Sequence, residues 1–168
     1  MASKKASVLV VDDDERMLRL MTEILQAGGY GTTVAADGEG AIKAVEGQTP
    51  DLVLLDVMMP GMDGYTVCRR IREFSRIPVI MVTAKGNEEE KIEGLEVGAD
   101  DYVTKPFSAR ELAARVRSGL RRSQLSDMGS EPAFHLDAAA IDFARHRITV
   151  GESEIELTVT EYKVLSLL

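Results

Sequence analysis

Cysteine is almost missing from this chain of 168 residues. Cys68 stands alone, so no internal disulfide can form, which fits a reducing cytosol. The two histidines, His135 and His146, lie far from Cys68 in sequence, so a structural zinc site has no plausible ligand set. No apolar run approaches the roughly 18 residues of a membrane span. The first seven residues are polar and lack the apolar stretch of a signal peptide. Positive charge is also in short supply: the net charge is −8, and most of it falls in residues 123–168. That balance argues against tight binding to a nucleic-acid backbone by this chain as it stands. A cytoplasmic protein without a membrane partner is expected.

Apolar residues make up 45% of the chain, enough to bury a core, and they are arranged in a repeating order. Short apolar runs at 8–11, 31–35, 52–55, 79–82 and 102–104 alternate with amphipathic stretches. Three of the runs are continuously hydrophobic, as expected for central strands covered on both faces. Met17, Leu18, Met21, Ile24 and Leu25 recur at helical spacing, and Gly28-Gly29 closes that helix. Similar patterns occupy residues 38–46, 64–74, 87–96 and 108–122, the last opened by the capping box Ser108-Ala-Arg-Glu111. Five strand–helix units with short connections predict a doubly wound parallel α/β sheet over residues 1–122. Residues 123–133 (SQLSDMGSEPA) read as a linker. Residues 134–158 read as short strands with a turn at Gly151-Glu152, and residues 158–168 turn helical. About 35 residues are too few for an independent core, so this second region reads as part of a domain.

In an open parallel sheet, ligands bind beyond the carboxyl ends of the strands. There the chain places Asp12-Asp13-Asp14 after the first strand, Asp56 after the third, Thr83-Ala84 after the fourth and Lys105-Pro106 after the fifth. Clustered carboxylates raise one another's pKa unless a cation neutralises them, and a sparse oxygen cage suits Mg²⁺. A lysine can pair with incoming phosphoryl oxygens, and a carboxylate can attack phosphorus to give an acyl phosphate. The set fits phosphoryl transfer onto an aspartate. Other features are assigned to the fold. Asp14 and Glu15 suit a helix start, Cys68 a core thiol beside Val67 and Ile71, and Glu88-Glu-Glu90 a solvated helix start. The methionines read as packing, His135 and His146 as surface or packing residues. Gly38-Glu-Gly40 lacks the third glycine of a dinucleotide fingerprint.

The segments VLVVDDDE, PDLVLLDVMMPGMDG, PVIMVTAKG and LEVGADDYVTKPFSARELAARV resemble receiver domains of OmpR/PhoB-class response regulators, over residues 7–122. The resemblance implies a flavodoxin-like (βα)5 fold with strand order 2-1-3-4-5. It implies Asp56 as phosphoacceptor, Asp13 as a direct Mg²⁺ ligand, Asp12 acting on the metal through water, and Met58 giving its backbone carbonyl. Thr83, the Ala84 amide and Lys105 would hold phosphoryl oxygens, and the Lys105-Pro106 bond would be cis. On phosphorylation Thr83 would move toward the phosphate and Tyr102 swing inward. The implied partners are a cognate histidine kinase and a second copy of the chain. The dimer face would lie on the fourth helix, fifth strand and fifth helix. Its apolar patch would be Ile92, Leu95 and Ala113; its cross-subunit pairs would be Lys91 with Glu111, Asp101 with Arg115, and Asp100 with Arg122. IELTVTEYKVLSLL resembles the passage from the N-terminal sheet to the first helix of the family's winged-helix effector domain. The recognition helix and wing that meet DNA would follow, so DNA binding is expected of a full-length effector domain and not of this chain alone.

Two alternatives stand beside this reading. A haloacid-dehalogenase-type phosphatase also places Asp-x-Asp after an apolar strand, but it needs an acidic pair beyond the lysine, where Pro106-Phe-Ser-Ala-Arg110 offers none. A phosphorylation-independent dimerisation module is the other, yet this chain keeps the acidic residues, the threonine and the lysine. No multiple-turnover substrate is expected.

Overall fold

The structure is a computed structural model that describes residues 4–84, 87–127, 133–136, 139–142, 147–150 and 153–156. Two compact units divide the chain, Met1–Leu120 and Arg121–Leu168. In the first, five parallel strands pair in the order β2-β1-β3-β4-β5. They are β1 (Ser7–Val11), β2 (Gly31–Ala35), β3 (Leu52–Asp56), β4 (Val79–Thr83) and β5 (Asp101–Thr104). Between and after them run α1 (Glu15–Ala27), α2 (Gly38–Gln48), α3 (Gly64–Arg72), α4 (Glu88–Glu96) and α5 (Ala109–Asp127).

The continuous apolar runs have the origin expected of them: both faces of the sheet are covered. Leu9, Val53, Leu55 and Met81 point to one side, where Ile42, Val45, Val67 and Ile71 of α2 and α3 meet them. Val10, Leu52, Leu54 and Ile80 point to the other, against Met21 and Leu25 of α1 and Leu112 and Val116 of α5. Alternate residues of each strand therefore serve opposite cores. Cys68 is fully buried in the first of these, with its Sγ 3.5 Å from the Val97 carbonyl oxygen.

Short polar side chains start the helices. Asp14, Asp37 and Asp63 accept hydrogen bonds from the amides of Arg16, Gly40 and Thr66 at the starts of α1, α2 and α3. Asn87 does the same for Glu90 in α4, and Ser108 for Glu111 in α5. The last of these is half of the expected capping box. Helix α5 runs to Asp127, five residues into the stretch read as a linker. Residues 123–127 carry neither Gly nor Pro, and the first breaker is Gly129, so nothing local stops the helix at 122.

In the second unit, β6 (Ala133–Leu136), β7 (Ala139–Asp142), β8 (Arg147–Val150) and β9 (Ser153–Glu156) form an antiparallel meander in chain order. Val150 lies opposite Ser153, so the predicted turn spans the two residues between them. The structure of that turn, the helical reading of residues 158–168, and His146 lie outside the described residues.

Candidate functional site

The carboxyl ends of the central strands converge on one charged cluster. Asp12 follows β1 directly, and its amide donates to the Ala35 carbonyl at 3.2 Å, extending the β1–β2 ladder by one residue. Asp56 is the last residue of β3 and lies in register with Val82 of β4. Thr83 ends β4, and its carbonyl accepts the Lys105 amide at 2.7 Å. That backbone bond brings the root of the lysine to the site. The Lys105 Nζ then lies 3.0 Å from Asp12 Oδ2 and 3.2 Å from Asp56 Oδ1. The other Asp12 oxygen accepts the Asp14 amide at 2.9 Å. The Lys105-Pro106 peptide is cis.

Burial is unequal across the cluster. Asp12, Asp56 and Thr83 are each no more than 3% exposed, whereas Asp13 and Ala84 face solvent. The site thus has a closed floor and an open rim. Burial pushes the Asp56 carboxyl up to about 6, and the Asp12 charge pushes the same way against the opposing pull of Lys105. For Lys105, burial works to lower the pKa, but the hydrogen bond to Asp12 and the charges of Asp56 and Asp12 outweigh it, and the net shift is upward. The lysine remains an ammonium.

Among the described residues, one ammonium faces three carboxylates. Asp12, Asp13 and Asp56 each offer an oxygen, all within 4.8 Å of one another. Three hard oxygen donors with an uncompensated negative charge fit a small divalent cation such as Mg²⁺. Met58 lies two residues past β3 and is 56% exposed.

The approach of α3 to Asp56 depends on a glycine. An added Cβ at Gly64 would run into the Asp56 carbonyl oxygen, and the Gly64 amide donates to the Val57 carbonyl at 2.9 Å. Tyr102 packs against the α2–α3 side of the core, and its hydroxyl donates to the Glu90 carbonyl at 2.9 Å. This is an inward placement.

The expected dimer-face residues are distributed as follows. Ile92 is 50% exposed, Glu111 and Arg122 are exposed, and Ala113 is half-buried. The side chains of Lys91 and Leu95 lie outside the described residues. Arg115 bonds Asp101 of its own chain at 3.1 Å. Asp100 is engaged by Arg72 at 2.9 Å and by the Val79 amide at 2.9 Å. Sequence reasoning passed over Arg72, as it did Tyr65, whose hydroxyl also reaches the Glu90 carbonyl. Both sit in an amphipathic helix whose spacing marks them only as core-side or flanking positions.

Residues 8–117 match the response regulator receiver domain family. The chain belongs to this family. It is 44% identical to the DNA-binding response regulator MtrA of Mycobacterium tuberculosis over 98% of its own length and 71% of that protein's. It is also 44% identical to the sensory transduction protein RegX3 of Mycolicibacterium smegmatis, over 96% of this chain and 72% of that one. These relatives are of the OmpR/PhoB class. Among solved structures, the receiver domain of the Francisella response regulator 1452 superposes with a TM-score of 0.68 at 38% identity, covering 71% of this chain and 99% of its own. The beryllofluoride-activated receiver of Klebsiella pneumoniae RstA gives 0.66 at 35%, covering 68% and 98%. Residues 8–117 are thus a receiver domain of a two-component response regulator similar to MtrA, and the haloacid-dehalogenase alternative falls away. Among the described residues no helix is long and apolar enough to cross a membrane.

Proposed function

We propose that this receiver takes a phosphoryl group from a cognate histidine kinase onto Asp56. The observation that carries the proposal is the buried Asp12–Lys105–Asp56 cluster at the strand ends, with one rim open to solvent. An Asp56 carboxylate oxygen attacks phosphorus, the bond from phosphorus to the phosphohistidine nitrogen breaks, and its electron pair leaves with the imidazole. Lys105 pairs with a phosphoryl oxygen, with Thr83 and the Ala84 amide as further donors. Asp13 and Asp56, with Asp12 through water and the Met58 carbonyl, would hold Mg²⁺, which supplies charge neutralisation for the phosphoryl oxygens.

Occupation of the site then shifts Thr83 and Tyr102 and favours dimerisation through α4, β5 and α5, in a cytoplasmic signalling protein without a turnover substrate. Residues 1–122 form the receiver. Residues 134–168 open a winged-helix domain through which a full-length protein would control transcription, and 123–133 connect the two, the first five residues as helix.

Intact-protein mass after incubation with acetyl phosphate and Mg²⁺ tests the acceptor. A single phosphoryl adduct is expected in the wild type and none in Asp56→Asn. An adduct that survives the substitution would move the nucleophile to Asp12, Asp13 or Asp14. No adduct in either folded protein would favour a phosphorylation-independent dimerisation module.

A further inference from the structure

Two phenols end on one carbonyl. Tyr65 lies in the first turn of α3, only 7% exposed, and its hydroxyl donates to the Glu90 carbonyl at 3.2 Å. Tyr102 of β5 donates to the same oxygen at 2.9 Å. A carbonyl oxygen has two lone pairs, so the donors need not displace each other. Burial is the leading cause that raises both phenols above the ordinary tyrosine pKa. A direct interaction between the two hydroxyls raises Tyr102 further while lowering Tyr65. Both therefore keep their protons at any physiological pH, and Tyr65 bears on Tyr102 directly as well as through Glu90.

The same helix forms the floor beneath Tyr102. A methyl group on Gly94 would coincide with the Tyr102 hydroxyl, so the phenol lies directly on bare backbone one turn beyond Glu90. The inward ring therefore has a seat with two parts, the gap at Gly94 and the carbonyl of Glu90, both in α4. Tyr65 is the described side chain that ties that carbonyl to α3 by hydrogen bonding.

We propose that Tyr65 is a positioning residue for Tyr102. By anchoring the Glu90 carbonyl to α3, its hydroxyl fixes the first turn of α4 where the inward phenol needs it, and so sets how often Tyr102 occupies the seat over Gly94. This rests on the reading of Tyr102 as the moving residue of a receiver. The ring of Tyr65 belongs to the core, and its hydroxyl belongs to the switch.

The test is ¹⁹F NMR of the full chain labelled with 3-fluorotyrosine, whose four tyrosine signals are assigned by Tyr→Phe substitution. Tyr65→Phe keeps the ring and removes the hydroxyl. The residue 102 signal is expected to move toward its solvent-exposed position, with the inward population relative to outward falling roughly three- to ten-fold, the value of one neutral hydrogen bond. Affinity for beryllofluoride with Mg²⁺ should fall by a similar factor, because the two equilibria are linked. In a Gly94→Ala background, where the seat is filled, Tyr65→Phe should have no further effect; a Tyr102→Ala background gives the same comparison without depending on how α4 accepts a methyl. An unmoved residue 102 signal overturns the proposal. So does an equal loss of beryllofluoride affinity with and without a working seat, which would make Tyr65 a general support of the fold. If no variant, nor the wild type, binds beryllofluoride, the proposed phosphoacceptor function fails, while the NMR comparison still decides for or against Tyr65.

Discussion

Asp56 is stabilised by protonation, the reverse of an ordinary surface carboxylate. Its folded pKa, about 6, lies above the ordinary aspartate value of 3.8, with burial the leading cause. Between those values the folded protein holds a proton that the unfolded chain has released. Stability from this group is therefore fully present below pH 3.8 and is lost as pH rises through about 6. At pH 7.5 without metal, the ionised group costs about 2–3 kcal/mol, so Asp56→Asn should raise the midpoint of urea unfolding. Adding Mg²⁺ should stabilise the wild type and narrow that gap. A wild type more stable than Asp56→Asn in metal-free buffer would contradict the electrostatics. Cys68 is the quiet counterpart. Burial pushes its thiol up to about 11, so at neutral pH it holds almost no thiolate. Iodoacetamide should label it only at the rate of unfolding, and prompt labelling of the native protein would refute its burial. The core-thiol reading needed only the apolar spacing around Cys68. The cluster of Asp12, Asp13, Asp56, Thr83 and Lys105 needed more: the strand ends could be counted, but the lysine's bonds to two carboxylates are a product of tertiary folding.

Among the elements, α3 does the most varied work, and the least of it was legible beforehand. Its apolar stripe predicted the face that meets the sheet, because burial there follows helical period. Arg72 falls on the same stripe, one turn beyond Cys68, but its spacing says nothing of what its charge binds. Its guanidinium donates to the carbonyls of Gly98, Ser75 and Ile77 and to Asp100, closing the turn into β4 and the approach to β5. Five donors in a fixed fork suit this use, and lysine could not replace it. Arg72→Ala leaves three carbonyls and a carboxylate short of a partner, and should cost about 2–4 kcal/mol in urea unfolding. A loss below about 0.5 kcal/mol would place the arginine among ordinary surface residues. The strand positions were readable to within a residue or so because central strands of a parallel sheet must be apolar on both faces. The far end of α5 was not: polar helix formers and linker residues share a composition, and only the absence of Gly or Pro before Gly129 marks the difference.

For the whole molecule, the expected dimer contacts carry unequal weight. A cross-subunit bridge from Asp101 would draw Arg115 away from its own chain, exchanging one partly exposed pair for another at little net gain. Asp100 is further committed, holding Arg72 and the Val79 amide together. Apolar contact at Ile92 should therefore matter more than any single ion pair. In sedimentation velocity, beryllofluoride with Mg²⁺ should shift the chain from monomer to dimer. Ile92→Glu should abolish that shift without preventing the phosphoryl adduct, and Arg115→Ala should weaken dimerisation only a few-fold. A dimer untouched by Ile92→Glu would move the interface elsewhere.

The order β2-β1-β3-β4-β5 brings residues 12, 56 and 105 together from the ends of β1, β3 and β5, with β4 lying between the last two and long stretches of chain separating all three. During synthesis Asp56 leaves the ribosome long before Lys105 does. A nascent chain that has reached only the fourth strand carries Asp12, Asp13 and Asp56 without the Lys105 ammonium that pairs with two of them. The charged cluster is thus completed only when the fifth strand docks. On the proposed function, a half-made copy would have no assembled site with which to compete for a kinase's phosphoryl groups.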